Sequence, residues 1–167
     1  MVDEAASPPE PVQPSGVLLV DKPLAWTSHD VVKFIRRFGF KKVGHCGTLD
    51  PAATGLLIVV IGRATKLTDL FAGQDKTYVG SLRLGIETFT QDAEGEVIAE
   101  ADWTGVTEAD VRRVFGEFVG EQMQVPPMVS AKKQGGETLY KLARKGIVVE
   151  REPRPIVIHS LDIREIA

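Results

Sequence analysis

Gly44-His45-Cys46-Gly47-Thr48-Leu49-Asp50-Pro51-Ala52-Ala53-Thr54-Gly55-Leu56-Leu57 is the stretch on which the reading of this 167-residue chain turns. Three glycines and a proline argue against regular structure from Gly44 to Gly55, yet the stretch runs straight into the apolar strand expected over Leu56–Ile61. Asp50 is the only acid between Asp30 and Asp69 and is set among basic residues. Pro51 restricts Asp50 to extended backbone, while Gly47 and Gly55 allow close backbone approach. A carboxylate held this way beside cations stays ionised and can serve as nucleophile or base. The same residue could instead accept backbone N–H bonds in an Asp-Pro turn, as most aspartates before proline do, and spacing alone favours that reading.

Working outward, Val17-Leu18-Leu19-Val20 reads as a short buried strand stopped at Asp21-Lys22-Pro23. Thr27 and Asp30 have capping-box spacing and open a helix whose apolar stripe is expected to be Val31, Phe34, Ile35 and Phe38, with Lys33, Arg36 and Arg37 on the other side. Beyond the strand over Leu56–Ile61, the pattern predicts a short helix over Ala64–Phe71 and a strand through Tyr78–Leu84. A turn at Asp92–Gly95 then feeds a strand over Glu96–Ala101. Thr107 and Asp110 repeat the capping-box spacing ahead of Val111, Val114, Phe115 and Phe118. A third helix is expected near Thr138–Lys145, stopped by Gly146, with closing strands at Ile147–Val149 and through Ile156, Ile158, Leu161 and Ile163. Strands outnumber helices and some are hairpin-connected. The expected class is α+β, a mixed, largely antiparallel sheet with flanking helices.

Residues 1–15 hold four prolines and three acids and almost no large apolar side chain, so they are expected to form a disordered arm preceding one domain over residues 16–167. A single cysteine, Cys46, excludes an internal disulfide. The apolar run from Gly55 to Gly62 is too short to cross a bilayer, and the N-terminus shows no export signal, so a soluble cytoplasmic protein without membrane association is expected. No phosphate-cradling or dinucleotide-type glycine loop is present, which leaves a nucleotide cofactor unsupported. His29, His45 and His159, with no CxxC or HExxH, supply no zinc-ligand spacing. Cys46 beside His45 reads more readily as a small buried hydrophobe than as a nucleophile. The net charge of −3 conceals a partition. Residues 31–66 carry seven cations against Asp50 alone, a net of +6, and residues 122–154 a net of +4, whereas residues 87–121 carry ten acids against Arg112 and Arg113. A polyanion responds to the local field, so the two basic blocks could form one binding face, or simply a solvated surface.

Taken whole, Lys41 to Leu57 resembles the signature loop of bacterial TruB-type tRNA pseudouridine synthases. Gly16–Pro23 is similar to the opening strand of that family, and Trp26–Val32 to the start of its first helix. Lys76-Thr77-Tyr78 and Arg83-Leu84-Gly85 resemble its next block; Gln124–Pro127, Ser130-Ala131, Lys133, Gly136 and Leu139–Arg144 resemble the one after. The likeness covers about residues 16 to 160. It implies that Asp50 is the catalytic aspartate of a reaction that detaches uracil from ribose, turns it and rejoins it through carbon 5, with no cofactor and no metal. A carboxylate suits that chemistry because it can attack or stabilise C1′ as the glycosidic bond breaks. Attack at C1′ and elimination through a glycal both remain open.

The resemblance further implies that Tyr78 stacks on the flipped base and takes part in proton transfer, and that His45 occupies the space the uridine vacates. Lys22, Lys41 and Lys42 become phosphate neighbours, with Thr48 in the RNA-binding loop; Lys133 and Arg144 would extend that face. The implied partner is the T-arm stem-loop of tRNA, bound by a monomer. Phe89 stands where the family commonly has aspartate, and Val129 where it commonly has an aromatic residue. The arginine that pairs with the family's catalytic aspartate lies in a later GTYIRSL-like segment, often followed by a PUA-type domain. Neither is found before Ala167. The resemblance therefore implies most of a catalytic domain, expected to be weak or inactive alone, with a non-catalytic RNA-binding or tRNA-folding module as the alternative.

Overall fold

The computed structural model describes residues 14–126, 133–134, 137–138 and 151–167. The chain divides into two compact units, Met1–Val79 and Gly80–Ala167.

In the first unit, β1 (Gly16–Lys22), β3 (Gly55–Ile61) and β2 (Val43–Cys46) form an antiparallel sheet in the order β1-β3-β2. The register pairs Lys22 with Gly55 and Val20 with Leu57 on one side of β3, and His45 with Val59 on the other. Alternation along β3 aims Leu57, Val59 and Ile61 at one face, where they meet Val43 and the buried stripe of helix α1 (Ser28–Arg36). Each such side chain stabilises the fold by about 1.5–3 kcal/mol on burial. The expectation of no regular structure from Gly44 needs correcting, because Gly44 and Cys46 belong to β2. The glycine punctuation instead marks the two ends of the loop beyond, Gly47 just after β2 and Gly55 at the start of β3, with positive φ of 98° and 114°.

Thr27 and Asp30 form the expected capping box: the Thr27 hydroxyl and amide bond the Asp30 carboxylate, and the Asp30 amide donates to the Thr27 hydroxyl. The helix is rotated from the expected stripe. Ser28, Val31, Val32 and Ile35 are buried, while Phe34 and Phe38 are 45% and 69% exposed. These two rings instead pack edge-on along the outer surface, Trp26–Phe34–Phe38, with centroids 5.9 and 5.5 Å apart. The i, i+3, i+4, i+7 spacing starts from Ser28, so a polar residue leads the core-facing row. A 3₁₀ turn (Gly62–Leu67) and helix α2 (Thr68–Ala72) follow β3, matching the short helix expected there. The strand expected through Tyr78–Leu84 is not formed: residues 75–83 join no ladder among the described residues, and β-propensity without a partner does not make a strand.

Among the described residues, the second unit contains three two-stranded antiparallel pairs. β4 (Ile86–Thr88) and β5 (Val97–Glu100) flank the turn in which the Thr90 hydroxyl and Glu94 amide donate to the Asp92 carboxylate. Helix α3 (Glu108–Glu117) has the expected Thr107–Asp110 capping box and carries the Arg112–Glu108 and Arg113–Glu117 ion pairs. β6 (Gly120–Gln124) pairs with β9 (Arg154–Ile158), and β7 (Lys133–Gln134) with β8 (Glu137–Thr138). The expected closing strand ends at Ile158, and Leu161 and Ile163 follow it outside any ladder. Thr138 lies in β8, so the helix expected there does not start at that residue. The remainder of that helix, the strand at Ile147–Val149, and the first 13 residues of the expected N-terminal arm lie outside the described residues. Helices and antiparallel sheets together make the fold α+β, as the sequence indicated. No helix among the described residues is long and apolar enough to cross a membrane.

Candidate active site

Asp50 sits in the β2–β3 loop with its side chain exposed, while both of its neighbours are tied down. On one side, Leu49 packs against the core cluster. Its amide donates to the Ser28 hydroxyl at 2.9 Å, and its carbonyl accepts from that hydroxyl at 3.1 Å. On the other side, the Pro51 carbonyl accepts from the Ala25 amide at 2.8 Å. The Ala53 amide donates to the Asp50 carbonyl at 3.0 Å, closing a turn. The Asp-Pro turn thus exists, but it uses the backbone of Asp50. Among the described residues the Asp50 carboxylate takes part in no hydrogen bond and no ion pair.

The turn that grips Pro51 has its own support. Lys22 is fully buried, and its ammonium donates to the carbonyls of Pro23 at 3.0 Å and Trp26 at 2.6 Å. This corrects its expected role as a phosphate neighbour. Its position at the end of β1 turns the side chain beneath the Pro23–Trp26 turn, where no phosphate can reach it. Ala25, inside that turn, has φ of +65°, a left-handed conformation that costs a non-glycine residue about 1–2 kcal/mol.

The remaining expected site residues of this unit are placed as follows. His45 lies on β2, half-buried, with Nδ1 hydrogen-bonded to the Gly47 carbonyl; that contact calls for a proton on Nδ1 and leaves Nε2 as the free ring nitrogen. Thr48, Lys41 and Lys42 are exposed, and the Lys42 carbonyl accepts from the Gly62 amide, tying the start of β2 to the end of β3. Tyr78 is 71% exposed and forms no hydrogen bond with Asp50. All seven cations of the 31–66 block face solvent, with Arg36 also donating to the Val43 carbonyl at 3.2 Å. Burial pushes the Cys46 thiol up, keeping it protonated and against a nucleophilic role.

Lys133 belongs to the second unit, where only its strand backbone is described; Arg144 lies outside the described residues. Among the described residues, no three His, Cys, Asp or Glu side chains gather into a metal site. Sequence reasoning missed Ser28 and Ala25. The available signal for Ser28 was its position directly after the Thr27 cap, on the helix face that leads into Val31, Val32 and Ile35.

The profile of the TruB family pseudouridylate synthase (N terminal domain) matches residues 36–167. A tRNA pseudouridine synthase B of Symbiobacterium thermophilum is 52% identical over 162 residues, covering 96% of this chain and 52% of the relative. Another, of Opitutus terrae, is 51% identical over 153 residues, covering 91% of this chain and 64% of the relative. The chain thus spans about half the length of the first and under two thirds of the second. Among solved structures, a chain from a Cbf5-Nop10-Gar1 complex is similar over 91% of this chain and 36% of its own length, with a TM-score of 0.56 and 26% identity. With the Asp50 loop and the strand that follows it inside the matched span, the chain belongs to the TruB family of pseudouridylate synthases.

Proposed function

We propose that the protein converts uridine to pseudouridine in the T-arm loop of tRNA, with Asp50 as the catalytic carboxylate. The observation that carries this reading is the exposed, unpaired carboxylate on a loop whose flanking residues are fixed, in a chain of this family. In the proposed reaction the N1–C1′ bond breaks, the uracil turns, and C5 bonds to C1′. The C5 proton is lost and N1 gains one, so the net change is an isomerisation needing neither cofactor nor metal. Asp50 acts at the ribose, attacking C1′ or supporting a glycal route. Tyr78 stacks on the displaced base and moves a proton, and His45 fills the space the base leaves. Lys41, Lys42, Thr48 and Lys133 contact the RNA backbone, and the solvent-facing cations of residues 31–66 support that assignment. The protein acts as a cytoplasmic monomer.

A second reading, RNA binding without turnover, is favoured by one observation: among the described residues no cation is paired with Asp50. Tritium release from a T-arm stem-loop labelled at uridine carbon 5 separates the two. Release by wild type and none by Asp50→Asn supports the isomerase. Retained RNA with no release, and equal affinity in both proteins, supports the binding module.

A further inference from the structure

The two residues beside Asp50 are held from one short segment, Ala25–Ser28, and the two grips differ in kind. Ala25 uses a backbone amide, which any residue but proline supplies. Ser28 uses its side chain, and the hydroxyl both accepts from the Leu49 amide and donates to the Leu49 carbonyl across 21 residues of sequence. The hydroxyl is almost wholly enclosed, at 2% residue exposure, so water does not readily replace it. It is also not needed for the helix: Thr27 provides the side-chain cap and Asp30 closes the capping box. Alanine at this first helical position would suit α1 at least as well as serine. A buried hydroxyl that is not part of the α1 cap thus grips the residue before an exposed carboxylate.

We infer that Ser28 is a positioning residue for Asp50, acting through the Leu49 backbone. The inference rests on the proposed catalytic role of Asp50. Catalysis at a ribose carbon depends on the carboxylate standing within a few tenths of an ångström of its working place. Misplacement by about 1 Å costs roughly 100-fold in rate. Loss of the Leu49 anchor should therefore appear mainly in the chemical step and little in RNA binding, for which the proposed contacts are mostly exposed cations.

The test compares wild type, Ser28→Ala and Thr27→Ala in the full chain. Thr27→Ala weakens α1 without touching the Leu49 grip and so reports what a purely structural change does. With enzyme in excess over carbon-5-tritiated T-arm stem-loop, Ser28→Ala is expected to release tritium about 10- to 100-fold more slowly, with the Kd for RNA within about threefold of wild type. Thr27→Ala should stay within about threefold of wild type in rate. A Ser28→Ala rate within threefold of wild type overturns the inference, as does an equal loss in Thr27→Ala.

Amide hydrogen exchange supplies a readout independent of turnover. The Ala53 and Ala25 amides, bonded to the Asp50 and Pro51 carbonyls, do not touch Ser28. Faster exchange at both in Ser28→Ala, with residues 31–36 of α1 unchanged, supports positioning. Unchanged Ala53 and Ala25 overturn it. If wild type binds RNA but releases no tritium, the isomerase reading fails by itself, and exchange alone decides whether Ser28 orders the Asp50 loop.

Discussion

Replacing Lys22 by methionine tests how the candidate site is supported. The substitution keeps an unbranched apolar stem of similar length and deletes the ammonium that bonds the Pro23 and Trp26 carbonyls. Two carbonyls then lose their buried donor, at about 1–3 kcal/mol each where water does not take its place. Against this, removing a buried charge recovers part of a desolvation penalty that is itself several kcal/mol. The balance is a net loss of about 1–3 kcal/mol, below the roughly 3–6 kcal/mol that two hydrogen bonds to a charged donor would sum to. With an m-value of about 1–3 kcal/mol/M, a 3 kcal/mol loss lowers the urea midpoint by about 1–3 M. The first unit can be followed alone by Trp26 fluorescence in a Trp103→Phe background, since Trp26 and Trp103 are the two tryptophans and fall in different units. RNA affinity of the folded variant, and its slope against salt, should match wild type. Unchanged stability with weaker binding and a salt slope shallower by about one would refute the buried placement, because that is the signature of a lysine on a phosphate.

Ala25→Gly relieves the positive φ of 65° and should raise the urea midpoint of the first unit by the equivalent of about 0.5–1 kcal/mol; a fall would show that the turn is not strained. Asp30, Asp92, Asp102 and Asp110 are all held below the usual aspartate value of 3.8, chiefly by hydrogen bonds from Thr27, Thr90, Thr104 and Thr107. A carboxyl lowered in the folded state contributes stability that is present above pH 3.8 and lost as pH falls through the folded value. Denaturation midpoints should hold steady from about pH 5 to 8 and drop below about pH 4, and a drop beginning near pH 6 would point to other groups. Lys41→Gln and Lys42→Gln should each make the salt slope of T-arm affinity shallower by about one; no change in either would remove that pair from the RNA contact.

The parts of this fold that could be read from sequence are those where one residue type has one physical use. Valine, isoleucine and leucine over Leu56–Ile61 leave little alternative to a buried strand, and threonine three residues ahead of aspartate specifies a helix start twice. Misreadings cluster where a residue type has two uses. Lysine is ordinarily a surface cation, and the family resemblance implies a phosphate neighbour at Lys22; whether its ammonium meets water or carbonyls depends on where the turn after β1 folds, and that is a tertiary fact. Phenylalanine ordinarily marks the core, yet Phe34 and Phe38 face outward because the row led by Ser28 had already filled the space over the sheet. Aspartate before proline is ordinarily a turn-former, and Asp50 illustrates why that reading and the catalytic one never competed. The turn is closed by the Asp50 carbonyl and the anchors on Leu49 and Pro51, all backbone, so that the carboxylate is left over. Composition could single out Asp50, but only the placement of Ser28 and Ala25 shows how the backbone on either side of it is anchored within a glycine-bounded loop.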